Sequence, residues 1–334
     1  MMILAADIGG THTRLLLQVQ DNGHSDTLIE KSYLSSQYAG LVEVVKTFLT
    51  ETNIKNTIDA ACFAAAGPVK SGEVAVTNLP WVLSEQQLAD ELNIPHVKII
   101  NDFTAAAYGV LDVKDEDIEV LQPGIKAASQ SPADAVVIGA GTGLGAAHII
   151  WLGDGYRVCS SEAGHAGFAA ESPLQCELLS WMQASSSHVS LETFLSGSGL
   201  FRIYQFLKQI KKIPESDSIK KSIKDNDPAQ MISQAALSGS DYLCQMTLNL
   251  FIEIYGAAAG NIALHYYPLS EVYIAGGIAA KIKPALSTER FIQAFINKGP
   301  MTANMEALRV KLVCNENIGL YGALSQARAM LISL

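Results

Sequence analysis

Apolar residues open this chain as an unbroken run, Met2 to Ala6, that stops at Asp7 and passes into Gly9-Gly10-Thr11. A short apolar run bounded by turn residues marks a buried strand. Two more strand-like runs, Thr13 to Val19 and Thr27 to Tyr33, lie either side of Asp21-Asn22-Gly23, so the chain begins as an antiparallel meander. The period then changes. Leu41, Val44, Val45, Phe48 and Leu49 recur with the spacing of a helix, and Ile58 to Ala66 is the next buried strand, broken by Gly67-Pro68. Ser84 is expected to cap a helix through Leu92. Val97 to Ile100 is a short strand, and Asn101-Asp102 open a helix over Phe103 to Val110.

The second half repeats the opening device. Ala135 to Ile138 runs into Gly139-Ala140-Gly141-Thr142-Gly143-Leu144-Gly145, and the apolar stretch Ala146 to Leu152 carries the chain away. Between the halves, Lys114 to Ala133 is charged, then carries Pro and Gly, and reads as a crossing linker or surface excursion. Helices dominate from residue 173. Gly239 to Tyr267 is long and apolar, and its Gly256 and Gly260 would let another element approach closely. Glu271 to Ala275 is a buried strand ending at Gly276-Gly277, Val310 to Val313 is the last strand, and the final helix, Gly319 to Leu334, is expected to return to the first domain.

Both glycine turns follow a strand, and each carries a Thr. Glycines without Cβ atoms let backbone N–H groups approach an anion, the hydroxyl adds a donor, and Asp7 beside the first turn suits a hydrated Mg²⁺. An ordinary hairpin turn explains the first motif equally well. Repetition about 130 residues later favours two related α/β domains facing each other across one polyphosphate, with a nucleotide in the cleft between them. No Lys follows either cluster, which excludes the P-loop. Gly141, Gly143 and Ala146 also fit a dinucleotide fingerprint, with Glu162 roughly twenty residues on. That fingerprint must open a helix, whereas His148 to Leu152 has the composition of a strand.

Length and composition narrow the classes. At 334 residues, with 49% hydrophobic and 17% charged, the chain is sized for two domains of a compact α/β protein. A net charge of −10 argues against a nucleic-acid surface or an anionic membrane as partner. No apolar stretch is expected to span a membrane, and Met1 to Ala6 lacks the basic start and length of a signal peptide. Five scattered cysteines, Cys62, Cys159, Cys176, Cys244 and Cys314, form no C-x-x-C pair and read as free thiols in a reducing cytosol.

Several polar groups have both a chemical and a plain structural reading. Asn101-Asp102 lie just past a strand, where ligands gather, but Asn and Asp are also preferred helix caps. Glu162-Ala163-Gly164-His165 could face a polyol or water, and Glu192 could sit in a first helical turn for the dipole alone. Thr77-Asn78-Leu79-Pro80-Trp81 suits a sugar-facing loop or many turns. Gly276-Gly277 could lie flat against an adenine or merely end a strand.

Taken in order, D-I-G-G-T, A-A-G-P, T-N-L-P-W, I-N-D-F-T-A, G-A-G-T-G-L-G, S-E-A-G-H, E-T-F-L-S-G-S-G-L and I-A-G-G-I resemble the bacterial glucokinase family, within the hexokinase, actin and Hsp70-type ATPase group. The resemblance covers nearly the whole chain. It implies two actin-like, ribonuclease H-like α/β domains, the smaller over 1–109 plus a C-terminal helix near 318–334 and the larger over 110–317. It also implies ATP-dependent phosphorylation of glucose to glucose 6-phosphate. By the same likeness Asp102 is the general base, and Asn78, Asn101, Glu162, His165 and Glu192 hold the remaining sugar hydroxyls. Gly9, Gly10, Thr11, Gly141 and Thr142 cradle the phosphates of ATP, Asp7 serves Mg²⁺ through water, and Gly276 and Gly277 line the adenine. Family members are cytosolic homodimers. Closure of the cleft is expected to hinge over residues 109 to 134 and near 317.

The chain departs from the family pattern at His12, where Asn is usual, and at Ala163, the first glycine of a usual E-G-G-H. The zinc-bearing C-x-C-G-x-x-G-C cluster of ROK-type sugar kinases is missing after His165, which argues against that branch and against a structural zinc. The alternatives are a kinase for another hexose, an NAD-linked oxidoreductase, and a non-catalytic sugar sensor. The sensor would need an appended helix-turn-helix, and none is expected with a first strand predicted from residue 2.

Overall fold

A computed structural model describes residues 2–21, 24–54, 57–125 and 132–332. It divides into two compact units, Met1–Lys114 with Asn317–Leu334, and Asp115–Glu316. The expected Asn22-Gly23 turn, and residues 126–131 of the stretch expected to hinge, lie outside the described residues.

In the first unit the strands are β1 (Met2–Ile8), β2 (His12–Asp21), β3 (His24–Leu34), β4 (Ala60–Ala65), β5 (Glu73–Ala75), β6 (Val82–Ser84) and β7 (His96–Asn101). Five of them form one sheet in the order β3-β2-β1-β4-β7, while β5 and β6 pair separately. The meander β1-β2-β3 is antiparallel, and β1-β4-β7 are parallel. β4 throughout, and β1 except for Asp7, are apolar because both faces are covered. Leu4, Ala6, Ile8, Phe63 and Ala65 face a core with Leu41, Val44, Val45 and Phe48 of helix α1 (Leu41–Glu51). Ile3, Ala5, Cys62 and Ala64 face the other way, onto Leu320, Ala323, Leu324 and Ala327 of the C-terminal helix Ile318–Ile332. Three β-branched valines, Val42, Val44 and Val45, cost α1 roughly 1–2 kcal/mol of helix propensity. Burial of its large apolar side chains, at about 1.5–3 kcal/mol each, outweighs this.

Helix α2 (Glu85–Leu92) follows β6, and Ser84 holds its N-cap position without a side-chain hydrogen bond, contrary to expectation. That position is already the end of a strand, and the neighbouring Glu85 carboxylate instead accepts the Ile99 N–H at 2.8 Å. Helix α3 (Asp102–Gly109) starts directly on β7.

The second unit has strands β8 (Ile118–Gln122), β9 (Ala135–Ala140), β10 (Leu144–Trp151), β11 (Tyr156–Ser161), β12 (Glu271–Ala275) and β13 (Arg309–Val313), in the order β11-β10-β9-β12-β13-β8. Its antiparallel β11-β10-β9 and parallel β9-β12-β13 repeat the pairing of the first unit. β8, antiparallel to β13, occupies part of the expected linker. Because β10 is a strand, the glycine cluster before it opens no helix, and the dinucleotide fingerprint is excluded.

The helices of this unit are α4 (Pro173–Gln183), α5 (Gly197–Gln209), α6 (Asp217–Asp225), α7 (Pro228–Leu237), α8 (Tyr242–His265), α9 (Gly277–Lys281), α10 (Lys283–Leu286), α11 (Glu289–Ile296) and α12 (Thr302–Glu306). α8 is the core helix. Cβ atoms on Gly256 and Gly260 would fall 2.2 Å from the Phe291 carbonyl oxygen and 2.4 Å from that of Phe295, so the expected close neighbour is α11. α8 is long and apolar enough by composition to cross a membrane, but it is interrupted by Glu253, Gly256 and Gly260, and 78% of its apolar window is buried inside the fold. Packing around it accounts for that composition.

Candidate active site

The first hairpin is built by register. Ile8 pairs with Thr13 and Asp7 with Arg14, leaving Gly9, Gly10, Thr11 and His12 in the turn. The Gly9 N–H donates to the His12 carbonyl at 2.9 Å, and Ser35 supports the turn by donating its N–H to the Thr11 carbonyl and its hydroxyl to the Gly9 carbonyl, both at 2.9 Å. Asn78 lies against this turn in the left-handed region, φ 66°, with its Cβ 3.2 Å from where a Cβ on Gly10 would be. Trp81 does not share that setting. Its indole is 3% exposed and packs in the core, so the sugar-facing reading of that ring is corrected.

At the carboxyl end of β7, Asn101 caps α3. Its Oδ1 accepts the N–H groups of Phe103 at 2.9 Å and Thr104 at 3.1 Å. Its Nδ2 donates to the Gly67 carbonyl at 3.1 Å and to Asp102 Oδ1 at 2.9 Å, and the same Oδ1 accepts the Phe103 N–H at 2.8 Å. The capping reading of the dipeptide therefore holds. Asn101 is the cap, and by being the cap it fixes the Asp102 carboxylate.

Asp7 is close enough to Asp102 to sense its charge. Burial raises the Asp7 carboxyl to about 6, the Arg14 guanidinium opposes the rise, and the negative charge of Asp102 adds to it. Arg14 in turn donates from Nη1 to Asn317 Oδ1 at 2.8 Å, just ahead of the C-terminal helix. Among the described residues no three His, Cys, Asp or Glu side chains gather as a metal cage. A desolvated acid near a second acid fits a hydrated Mg²⁺, which takes one or two carboxylates and keeps several waters. Arg14 and Asn317 were not among the sequence candidates, although strand register places Arg14 opposite Asp7 once the hairpin is drawn.

In the second unit the turn is one residue shorter. Leu144 pairs with Ala140 and Gly145 with Gly139, leaving Gly141, Thr142 and Gly143, with the Gly141 N–H on the Gly143 carbonyl at 2.8 Å. Gly276, at φ 92°, stands beside the end of β9, where a Cβ would meet the Ala140 carbonyl oxygen at 2.6 Å. Only glycine adopts that conformation without strain. Gly277, starting α9, has open space on its Cβ side.

Glu162 precedes and His165 ends a single helical turn, with Nε2 of His165 3.8 Å from Oε2 of Glu162 and side chains 64% exposed for His165 and 83% for Glu162. A pair so open to water contributes little to stability, which leaves both groups available to a ligand. Glu192 is not in a first helical turn as expected. It lies in the turn before α5, and its Oε2 accepts the Leu144 N–H at 2.8 Å. The second unit thus gathers Glu162, His165, Glu192, Gly141, Thr142, Gly276 and Gly277 around the first residues of β10 and the end of β9. The first gathers Asp7, Gly9, Gly10, Thr11, Asn78, Asn101 and Asp102 around the ends of β1 and β7.

Comparison with known proteins matches residues 4–330 to the glucokinase family model. A glucokinase of Trichormus variabilis is 40% identical, with 96% of this chain and 97% of that protein aligned. The crystal structure of glucokinase from an Antarctic psychrotroph superposes with a TM-score of 0.84 at 32% identity, over 98% of this chain and 99% of that one. A Balamuthia mandrillaris glucokinase, solved in complex with glucose, shares the fold with a TM-score of 0.78 at 22% identity, over 98% and 93% of the chains. With family model, relatives and fold in agreement over almost its full length, the chain belongs to the glucokinase family.

Proposed function

We propose that this enzyme moves the γ-phosphoryl group of ATP onto the 6-hydroxyl of glucose in one in-line displacement, with Asp102 as general base. The observation that carries the reading is the pair of donors, Asn101 Nδ2 and the Phe103 N–H, that converge on Asp102 Oδ1. A general base must be aimed before it can act. Phosphoryl transfer needs little covalent help, so alignment and charge stabilisation do most of the work. Asp102 takes the proton of the attacking hydroxyl, and Asn101 sets the angle at which it does so.

Asn78, Glu162, His165 and Glu192 hold the remaining hydroxyls, together with Asn101. Sites built on such partners reject analogues lacking the hydroxyl by roughly 10⁴ to 10⁵. Gly9, Gly10, Thr11, Gly141 and Thr142 shape the turns that hold the phosphates of ATP, with the Thr11 and Thr142 hydroxyls as donors, and Gly276 and Gly277 border its base. Asp7 would hold Mg²⁺ through water, and that ion would supply charge neutralisation for the transferring phosphate. Family likeness further supports a homodimer working in the cytosol.

The stereochemical course tests direct transfer. With ATP made chiral at its γ-phosphorus, glucose 6-phosphate of inverted configuration is expected, and retention would mean a covalent phosphoenzyme and overturn the reading. A hexose panel separates glucose from other sugars on the same fold. Mannose or glucosamine exceeding glucose in kcat/KM would reassign the substrate.

A further inference from the structure

Sugar side and phosphate side of the second unit meet at one carboxylate. The Glu192 backbone N–H donates to the Gly164 carbonyl at 2.9 Å, and its carbonyl accepts the Ser196 hydroxyl at 2.9 Å, which closes the turn ahead of α5. The Gly197 N–H then donates to the Gly141 carbonyl at 3.0 Å. Gly164 itself is pressed onto β10, where a Cβ would lie 2.1 Å from the Leu144 carbonyl oxygen. Sugar loop, turn and glycine hairpin are therefore three segments of one hydrogen-bonded network, closed by Glu192 Oε2 on the Leu144 N–H at 2.8 Å.

Gly143 decides whether that closure fits. A Cβ there would stand 2.5 Å from Glu192 Oε2 and 3.2 Å from its Cδ, well inside contact distance. Gly143 is not in the left-handed region, so its backbone does not require glycine. What requires glycine is the space taken by the carboxylate. An added methyl group meets the far end of a side chain, not a neighbouring backbone, and swinging Glu192 away relieves the clash without disturbing the strands.

We propose that Gly143, a residue of the phosphate turn, is a positioning residue for the sugar: by leaving room for the Glu192 carboxylate on the Leu144 N–H, it fixes the geometry in which Glu192 meets a sugar hydroxyl. This rests on the reading of Glu192 as a sugar ligand. It runs in both directions, because a carboxylate drawn toward sugar pulls on the amide that shapes the phosphate turn, so the two substrates sense each other's site.

A double-mutant cycle on the full-length enzyme tests it, using Gly143→Ala, Glu192→Ala and both together. Gly143→Ala is expected to raise the KM for glucose about tenfold while moving the KM for ATP less than about threefold, with thermal stability near wild type. In the Glu192→Ala background the same change should alter the glucose KM less than about twofold, because the group it displaces is gone. Multiplying effects in the double variant would overturn the proposal, as would a Gly143→Ala effect confined to ATP. Glu192→Ala alone separates the two layers. A raised glucose KM keeps Glu192 as a sugar ligand even if the cycle fails, whereas an unchanged one removes that assignment and the proposal with it.

Discussion

The two glycine hairpins share a strand order and a turn position but place their negative charge differently. At the first, the charge sits on the strand, with Asp7 opposite Arg14. At the second, the equivalent pair is Gly139 opposite Gly145, and the carboxylate arrives from Glu192, 48 residues beyond its Leu144 partner. A carboxylate built into a buried strand is desolvated whether or not a ligand is present. One carried by a turn can keep one oxygen on a backbone amide and offer the other to a ligand. The duplicated architecture thus separates a standing electrostatic cost from an adjustable contact, and the two halves should respond differently to the same kind of substitution.

Asp7→Asn should show the largest difference. Turnover should fall by about 10² or more, the order seen when one preorganised electrostatic partner is removed from a reacting centre, and saturating Mg²⁺ should not restore it. Glu192→Gln, which keeps an oxygen for Leu144, should act mainly on the glucose KM. Equal losses of turnover in both variants would erase the distinction.

Stability against pH gives the next largest effect. Asp7 holds its proton in the folded chain up to about 6, above its ordinary value of 3.8. Below about pH 4 both folded and unfolded chains are protonated there, and the folded state bears no penalty. Between about 4 and 6 the unfolded chain loses the proton first, and above about 6 the full cost of the buried anion is present. Chemical denaturation should show wild type losing roughly 2–3 kcal/mol from this group across that window. Asp7→Asn should lack that loss, and parallel profiles for the two proteins would refute the burial argument.

Asn101→Ala removes the cap of α3 and should cost roughly 1–2 kcal/mol by thermal denaturation. Its turnover should fall further than that stability loss alone would cause, because Asp102 loses a donor. The smallest effects belong to the turn hydroxyls. Thr11→Val and Thr142→Val should each raise the KM for ATP about fivefold, as expected for one hydrogen bond, and a change at only one of them would assign the nucleotide to a single hairpin.

Most of the frame was legible from the sequence because it is written in local pattern. β1 and β12 are apolar runs cut off by polar or glycine residues, α1 has a clear helical period, and both glycine turns follow strands buried on both faces. β8 and β11 were not seen. Each is an edge strand, β11 with half of its residues exposed and none buried, so its identity depends on pairing with β10 more than on its own composition. At the site, the Asn101 cap was legible because Asn is a preferred N-cap residue directly after a strand. The seat of Glu192 on Leu144 was not, since neither residue carries a local sign of a partner so distant in sequence. For Trp81 the motif left a sugar-facing loop and an ordinary turn open, and burial in the core decides against the ring facing a ligand.

The account turns on Asp102 deprotonating a bound sugar. Single-turnover phosphoryl transfer by Asp102→Asn, measured under glucose saturation established by calorimetry, tests this most directly. A loss of about 10² to 10⁴ in the transfer rate, with glucose affinity within about threefold of wild type, is the predicted result. Transfer slowed only a few-fold while glucose remains bound would contradict it.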